Sequence, residues 1–200
     1  MSAGKQSYFD QLENLVFEGG GIKGIAFIGA LSVLEERNVL SHCKRFAGSS
    51  AGAITASLLA CGYSCSEVSD QMLNQDWREF IPEGRVSMAH GLVTHWGLHS
   101  GDPFVSWLKK LIGARTGNPD CTFGELFEKT GRELVVTASC VNRRMQRYFH
   151  HSGNPDMPIV QAVRMSMSIP LFFAPVIFED EFYCDGGLLN NFPLWVFGML

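Results

Sequence analysis

The chain has 200 residues, of which 46% are hydrophobic and 18% are charged, and its net charge is −4. This length fits one domain, and this composition is typical of a globular core and excludes a disordered chain. Charges of both signs are scattered along the chain. The basic group at Arg143, Arg144 and Arg147 is short and typical of a solvated strand face, so no nucleic acid partner is predicted.

The cysteines and the apolar runs bear on the compartment. The six cysteines form no CxxC pair and show no zinc-ligand spacing, so we interpret them as reduced, small core residues in a reducing compartment. No run of 18 apolar residues occurs, and the polar N-terminus lacks the apolar stretch of a signal peptide. The sequence therefore predicts a cytoplasmic protein without a signal peptide or transmembrane segment.

The first elements follow a polar leader at residues 1–14. A short buried strand at 15–17 runs through a glycine-rich loop into a helix at 23–37. This helix is apolar over most of its first turns, which predicts that its beginning is buried. A second strand at 44–47 then precedes a second apolar helix at 51–61.

A long irregular segment follows the third helix. Ser64 with Glu67 predicts a capping box that begins this third helix. Residues 82–101 are rich in Gly and His and have no periodicity, which predicts a long loop. We interpret residues 86–99 within it as a lid or docking loop at a lipid interface. A helix at 102–112 comes next.

The second half of the chain continues the alternation. Its predicted elements, in chain order, are a helix capped by Thr122 and Glu125, strands at 133–141 and 144–150, a helix at 158–167, and strands at 176–178 and 182–184. Strands that alternate with helices predict a layered α/β fold. The apolar run at 194–200 has no polar end, which indicates that the domain at 15–200 is incomplete at its C-terminus.

The sharpest motif is Gly-Ser-Ser-Ala-Gly at residues 48–52, between a predicted strand and a predicted helix. In this setting the central serine, Ser50, occupies a tight turn with its hydroxyl exposed, and flanking glycines let the backbones pass. The N–H of Ala51 can point at a developing oxyanion, and the start of the helix adds a positive dipole. The motif therefore predicts that Ser50 is a nucleophile.

A second motif, Gly-Gly-Gly-Ile-Lys-Gly at residues 19–24, allows two interpretations. It matches a dinucleotide-binding loop, but the following strand at 44–47 offers no acidic residue for a ribose. As an oxyanion loop, the three glycines present unhindered N–H groups to a carbonyl oxygen. We favour the oxyanion loop, and Lys23 is interpreted as either a phosphate contact or a solvated lysine.

The residues alone offer more than one candidate for the base that activates the serine. No histidine follows Asp185, which closes a predicted strand and precedes two glycines, so its carboxylate can approach another loop closely. A plain turn aspartate is the alternative. A histidine base also stays open, because catalytic triads occur in several chain orders. The histidines considered are His95, His99, His150 and His151.

Together these motifs resemble the patatin-like phospholipases. The order of GGGIKG, GSSAG and DGG is shared, and so are the segments SMSIPLFFAP at 166–175 and NNFP at 190–193. The resemblance covers residues 15–197. It implies a three-layer α/β/α fold with a central, mostly parallel sheet. The motif glycines that carry it are Gly19, Gly24, Gly48, Gly52, Gly186 and Gly187.

The resemblance also implies a function. The family uses a Ser–Asp dyad without histidine, which assigns Ser50 as nucleophile and Asp185 as base. The implied oxyanion hole consists of the amides of Gly20, Gly21, Ile22 and Ala51. The expected activity is hydrolysis of fatty acyl esters of phospholipids or other acyl lipids, in peripheral contact with a membrane and without a metal or other cofactor. Transacylation, a non-catalytic lipid-binding domain and a nucleotide-binding module remain as alternatives.

Overall fold

The computed structural model describes residues 11–80 and 97–199. The strands are β1 (Asn14–Phe17), β2 (Arg45–Ser49), β3 (Gly97–His99), β4 (Glu133–Cys140), β5 (Met145–Phe149), β6 (Leu171–Phe173), β7 (Val176–Phe178) and β8 (Glu181–Asp185). The α-helices are α1 (Phe27–Glu36), α2 (Ala51–Ala60), α3 (Cys65–Asn74), α4 (Asp102–Thr116), α5 (Phe123–Thr130), α6 (Ile159–Ser166) and α7 (Val196–Met199). Short 3₁₀ helices occupy Gly21–Ala26, Val39–Ser41, Trp77–Phe80 and Gly186–Leu188.

Six strands form the main sheet, in the order β1-β2-β4-β8-β7, with β5 also paired to β4. β1, β2 and β4 are parallel, whereas β5 and β8 run antiparallel to β4. Ser49 at the end of β2 lies opposite Thr137, and Asp185 at the end of β8 lies opposite the next residue, Ala138. The carboxyl ends of β2 and β8 therefore meet beside the middle of β4.

The layered fold follows from the distribution of apolar residues. All ten residues of α2 are buried, because this helix is apolar on every side and packs on β1, β2 and β4. α6 packs on β4 and β8, and seven of its eight residues are buried. The predicted α/β/α fold is confirmed.

Both capping boxes are confirmed. The side chains of Ser64 and Thr122 each accept a hydrogen bond from the backbone of a glutamate three residues later, and that glutamate bonds back to the cap residue. The predicted role of the cysteines as core residues is also confirmed, since all six are buried and unpaired.

The first predicted helix differs from the expectation. A 3₁₀ helix covers Gly21–Ala26 before α1 begins, and Gly24 and Leu31 are the buried residues of these two elements. The prediction that its first turns are buried is wrong. Ile22 and Ile25 instead stand partly in solvent, because they face the open cavity described below.

A second, two-stranded sheet was not predicted. β3 pairs in parallel with β6, although Gly97–His99 lies in the segment interpreted as a loop and β6 was not predicted as a strand. Residues 81–96, with most of the proposed lid, lie outside the described residues, as do residues 1–10 of the leader. The apolar run near the end of the chain forms α7, whose Val196 packs against Ala47 and Val135.

No helix within residues 11–80 and 97–199 is both long enough and apolar enough to cross a membrane.

Candidate active site

Ser50 occupies a strained turn between β2 and α2. Its backbone has φ 52° and ψ −125°, a conformation that non-glycine residues seldom adopt. The flanking glycines make the turn possible: a Cβ on Gly48 would lie 2.3 Å from the carbonyl oxygen of Gly52. A Cβ on Gly52 would lie 2.4 Å from the carbonyl oxygen of Phe17 in β1. The predicted strand–turn–helix elbow is therefore present.

Ser50 and Asp185 are in direct contact. Ser50 Oγ donates a hydrogen bond of 2.7 Å to Asp185 Oδ2, and the amide of Gly187 donates one of 2.7 Å to Asp185 Oδ1. Both residues are buried, since Ser50 is 4% exposed and Asp185 is 7% exposed. Burial raises the pKa of the Asp185 carboxyl above its usual value, although the hydrogen bonds from Ser50 and Gly187 oppose that shift.

The end of α6 holds both residues by their backbones. Ser166 Oγ accepts a 2.8 Å hydrogen bond from the amide of Ser50, and the carbonyl of Ser168 accepts one of 2.8 Å from the amide of Asp185. Met167 lies between Ser166 and Ser168 in the sequence, and its Sδ is 3.7 Å from Ser50 Oγ. The sequence marked this segment only as part of the family resemblance and gave no sign of these contacts.

A buried arginine fixes this segment in turn. Arg164 in α6 donates hydrogen bonds to Ser168 Oγ at 2.5 Å and to the carbonyls of Ser100 and Ala174 at 2.6 and 3.0 Å. Burial lowers the pKa of its guanidinium to about 10, so the group remains charged at neutral pH. Because a Cβ on Gly101 would lie 2.4 Å from Arg164 Nε, a glycine is needed where the backbone passes this side chain.

The glycine-rich loop presents backbone amides near Ser50. Gly21 and Ile22 open the 3₁₀ helix and Ala51 opens α2, and the first N–H groups of a helix have no acceptor within that helix. Gly21, Ile22 and Ala51 line one cavity. Gly20 is the residue that precedes the 3₁₀ helix, and its carbonyl accepts a hydrogen bond from the amide of Lys23.

Asn191 joins this loop to the turn after Asp185. Gly19 donates its amide to the carbonyl of Asn191 at 2.9 Å, and Asn191 Nδ2 donates to the carbonyl of Gly19 at 2.9 Å. A Cβ on Gly19 or on Gly187 would lie 2.3 or 2.5 Å from Asn191 Oδ1. Gly186 is equally confined, because a Cβ there would lie 2.5 Å from the carbonyl of Thr137. Gly24 packs less tightly, with its Cβ position 3.1 Å from the Cβ of Ala51.

An apolar cavity of about 410 Å³ is lined by Ala51, the residue after Ser50, and by Met167, which contacts Ser50. Its lining includes Gly21, Ile22 and Ala51, the residues expected to supply oxyanion amides. The remaining lining is aliphatic and aromatic: Ile25, Ile54, Met72, Leu73, Trp77, Phe80, Phe104, Met167, Ile169, Phe172 and Phe173. A cavity of this size and lining suits an elongated apolar group.

No histidine of the described residues stands between Ser50 and Asp185, which bond directly. His99 is buried against Phe172 and Phe173, and burial lowers the pKa of its imidazole. His150 and His151 lie beside Glu133 at the start of β4. His95 lies outside the described residues.

The fold and this geometry define an α/β/α protein with a serine elbow bonded to an aspartate from a neighbouring strand. The family model described as patatin-like phospholipase matches residues 15–197. The chain belongs to the patatin-like phospholipase family, as the resemblance indicated.

Individual relatives agree with this assignment. The chain is 36% identical to the uncharacterized protein YqhO of Bacillus subtilis over 91% of its own length and 65% of YqhO. It is 31% identical to the probable lipid hydrolase 463L of Invertebrate iridescent virus 6, over 91% of the chain and 62% of that protein. The chain thus spans slightly less than two thirds of these relatives.

A solved structure shares the fold. VipD from Legionella pneumophila superposes with a TM-score of 0.68 and 21% identity, over 90% of this chain and 47% of VipD.

Proposed function

We propose that this chain is a serine acyl hydrolase that cleaves fatty acyl esters of lipids, with Ser50 as nucleophile and Asp185 as its base. The observation that carries the proposal is the 2.7 Å hydrogen bond from Ser50 Oγ to Asp185 Oδ2 at the edge of an apolar cavity. An amide-bearing loop lines the same cavity. This arrangement supports a nucleophile, a base and oxyanion donors that act on one ester group.

The proposed reaction has two halves. In the first, Ser50 Oγ attacks the ester carbonyl carbon while its proton passes to Asp185. The resulting oxyanion accepts hydrogen bonds from the amides of Gly20, Gly21, Ile22 or Ala51. The carbon–oxygen bond to the alcohol then breaks, and Asp185 returns the proton to the departing alkoxide. In the second half, water repeats the sequence on the acyl-enzyme and releases a fatty acid.

A carboxylate is a weak base in water, so its surroundings matter. Burial raises the pKa of Asp185, which makes the ionised group a stronger base than a solvated aspartate. The amide of Gly187 bonds the other carboxylate oxygen and directs Oδ2 toward Ser50. This pairing supports direct proton transfer without an intervening imidazole.

The substrate class follows from the cavity. Its lining is almost entirely hydrocarbon and sulfur, which favours a fatty acyl chain over a polar acyl group. Names among the relatives point the same way: one is a probable lipid hydrolase, and the 28% identical Triacylglycerol lipase 5 of Saccharomyces cerevisiae is another. Such a substrate brings the protein into peripheral contact with a lipid surface.

Labelling with a fluorophosphonate tests the nucleophile. The wild-type chain and Ser49→Ala are expected to be labelled, and Ser50→Ala is expected to lose both labelling and ester hydrolysis. Ser49 is a matched control, because it is the serine directly before Ser50 and is fully buried. Labelling that persists in Ser50→Ala and disappears in Ser49→Ala would refute the assignment of Ser50.

A further inference from the structure

Three side chains with metal-binding atoms meet at the start of β4, away from Ser50. Glu133 is the first residue of β4, and His150 and His151 follow the last residue of β5. β5 runs antiparallel to β4 with Phe149 opposite Val136, so the chain beyond it continues toward Glu133. One ligand atom from each of the three side chains lies within 4.8 Å of the other two.

Two of these ligand residues have unsatisfied buried nitrogens. Within the described part of the chain, the Nδ1 atoms of His150 and His151 are buried and have no hydrogen-bond partner. Nδ1 of His151 is 3.8 Å from Glu133 Oε1, which is too long for a hydrogen bond. Donors around a tetrahedral zinc ion are about 3.3 Å apart, given metal–ligand bonds of about 2.0–2.1 Å. The three ligand atoms, which lie within 4.8 Å of one another, must therefore approach each other by up to about 1.5 Å to share an ion.

The surroundings hold both imidazole rings in place. The Phe127 ring stacks on His151 with centroids 3.8 Å apart and planes at 10°. Ser152 Oγ lies 3.0 Å from His151 Nε2, so that hydroxyl can orient the ring in the way that outer hydrogen-bond partners orient metal ligands. A Cβ on Gly153 would lie 3.0 Å from His150 Nε2, which places backbone firmly against that ring.

We propose that Glu133, His150 and His151 bind a divalent transition-metal ion, with Zn²⁺ as the preferred ion. Two imidazole nitrogens and one carboxylate oxygen form a typical zinc ligand set, and the fourth position is left to water. This assignment amends the expectation of a chain without zinc ligands, which rested on His and Cys spacing alone.

The ion acts on the fold at a distance from the ester chemistry. Glu133 precedes Ala138, the residue opposite Asp185, by five positions in β4, which corresponds to about 16 Å along a strand. The ion would fasten the end of β5 to the beginning of β4. It also ties in α5, whose Phe127 covers His151.

Zinc titration of the chelator-stripped full chain, followed by competition with a zinc-sensitive dye, tests the site. The wild type is expected to bind one Zn²⁺ per chain, and Glu133→Gln and His151→Gln are each expected to weaken binding by more than about 100-fold. Free Zn²⁺ at about 100 times its Kd should raise the Tm of the wild type by roughly 5–10 °C. The two variants should show no such rise.

Two controls separate this site from other zinc binding. Glu128→Gln removes an exposed carboxylate from the neighbouring α5 and should bind zinc like the wild type. Ser50→Ala should also retain the zinc site, which keeps this test independent of the proposed hydrolase activity. Absence of binding in the wild type, or equal binding in the wild type and in a folded Glu133→Gln/His151→Gln double variant, overturns the proposal. Absence of zinc binding in the wild type overturns the proposal whether or not the variants fold.

Discussion

In the proposed mechanism, the function of Asp185 as a base opposes its contribution to stability. Its carboxylate is buried beside Ser50, and burial raises its pKa. The ionised form required of a base is therefore less stable in the folded chain than in water. A group with a raised acidic pKa binds more protons in the folded state than in the unfolded state, so its contribution to stability falls as pH rises.

We expect Asp185→Asn to be inactive yet at least as stable as the wild type at neutral pH. Below the ordinary aspartate pKa of about 3.9, the Asp185 carboxyl is neutral in both the folded and the unfolded chain. The wild type and the variant should therefore have similar Tm values. As pH rises from that value through the raised pKa of Asp185, the Tm of the wild type should fall relative to the variant. Thermal melts at several pH values measure this difference. A variant that is less stable by the same amount at every pH would contradict it.

The sequence was informative at the residue level where a residue type has a distinctive local setting. Ser50 lies between two glycines just after β2, Asp185 ends β8 and precedes two glycines, and the structure brings the two side chains into contact. The contact of Ser166 with the Ser50 amide spans 116 positions, and no local pattern indicates which serine makes it. The grouping of Glu133 with His150 could not be predicted from a local pattern either, because their proximity depends on how β4 pairs with β5.

At the scale of elements, the site is the junction of two strand ends and one helix end. β2 and β8 approach from opposite directions along β4, and the end of α6 bonds to the backbone of both. Ser166 is the hydroxyl contact in this junction, since its Oγ accepts from the Ser50 amide. Loss of that bond leaves a buried N–H unpaired in a turn that is already strained.

Ser166→Ala is therefore expected to reduce kcat by roughly tenfold to a hundredfold, because small displacements of a reacting group are costly. KM should change little, since Ser166 contributes nothing to the cavity wall. Ser57→Ala serves as the control: its hydroxyl is equally buried but bonds to Ala53 within α2. Steady-state kinetics on one ester would measure both variants. Equal kcat values in the two would show that Ser166 does not position Ser50.

Elements were predictable in proportion to their length and their capping signals. The capping boxes at Ser64 and Thr122 mark helix starts by a mechanism that is entirely local. β3 and β6 are three residues each, and each is a strand only because the other lies beside it. The exposed side of the 3₁₀ helix Gly21–Ala26 was missed because its apolar sequence indicates burial, whereas Ile25 is half exposed and lines the cavity.

At the scale of the whole molecule, exposed apolar side chains surround the cavity. Ile22, Leu73 and Ile169 line the cavity and are at the same time exposed. Leu171, two positions after Ile169, is 67% exposed and does not line the cavity. Apolar groups gathered around an opening are typical of a surface that meets a partner or a lipid interface. This arrangement favours a substrate that is presented in an aggregate.

Activity is accordingly expected to rise when an acyl ester passes from monomers to phospholipid vesicles, and Leu171→Asn should weaken that rise several-fold. Leu171 has a φ of 69°, which asparagine tolerates better than leucine, so this change should not disturb the fold. Hydrolysis of a soluble short-chain ester should stay the same, because Leu171 lies outside the cavity lining. Val33→Asn on α1 removes a different exposed apolar side chain and should leave both activities intact. Equal wild-type rates on monomers and vesicles at matched concentration would contradict interfacial docking. If Leu171→Asn and Val33→Asn lose vesicle activity equally, the docking surface is not at the cavity mouth.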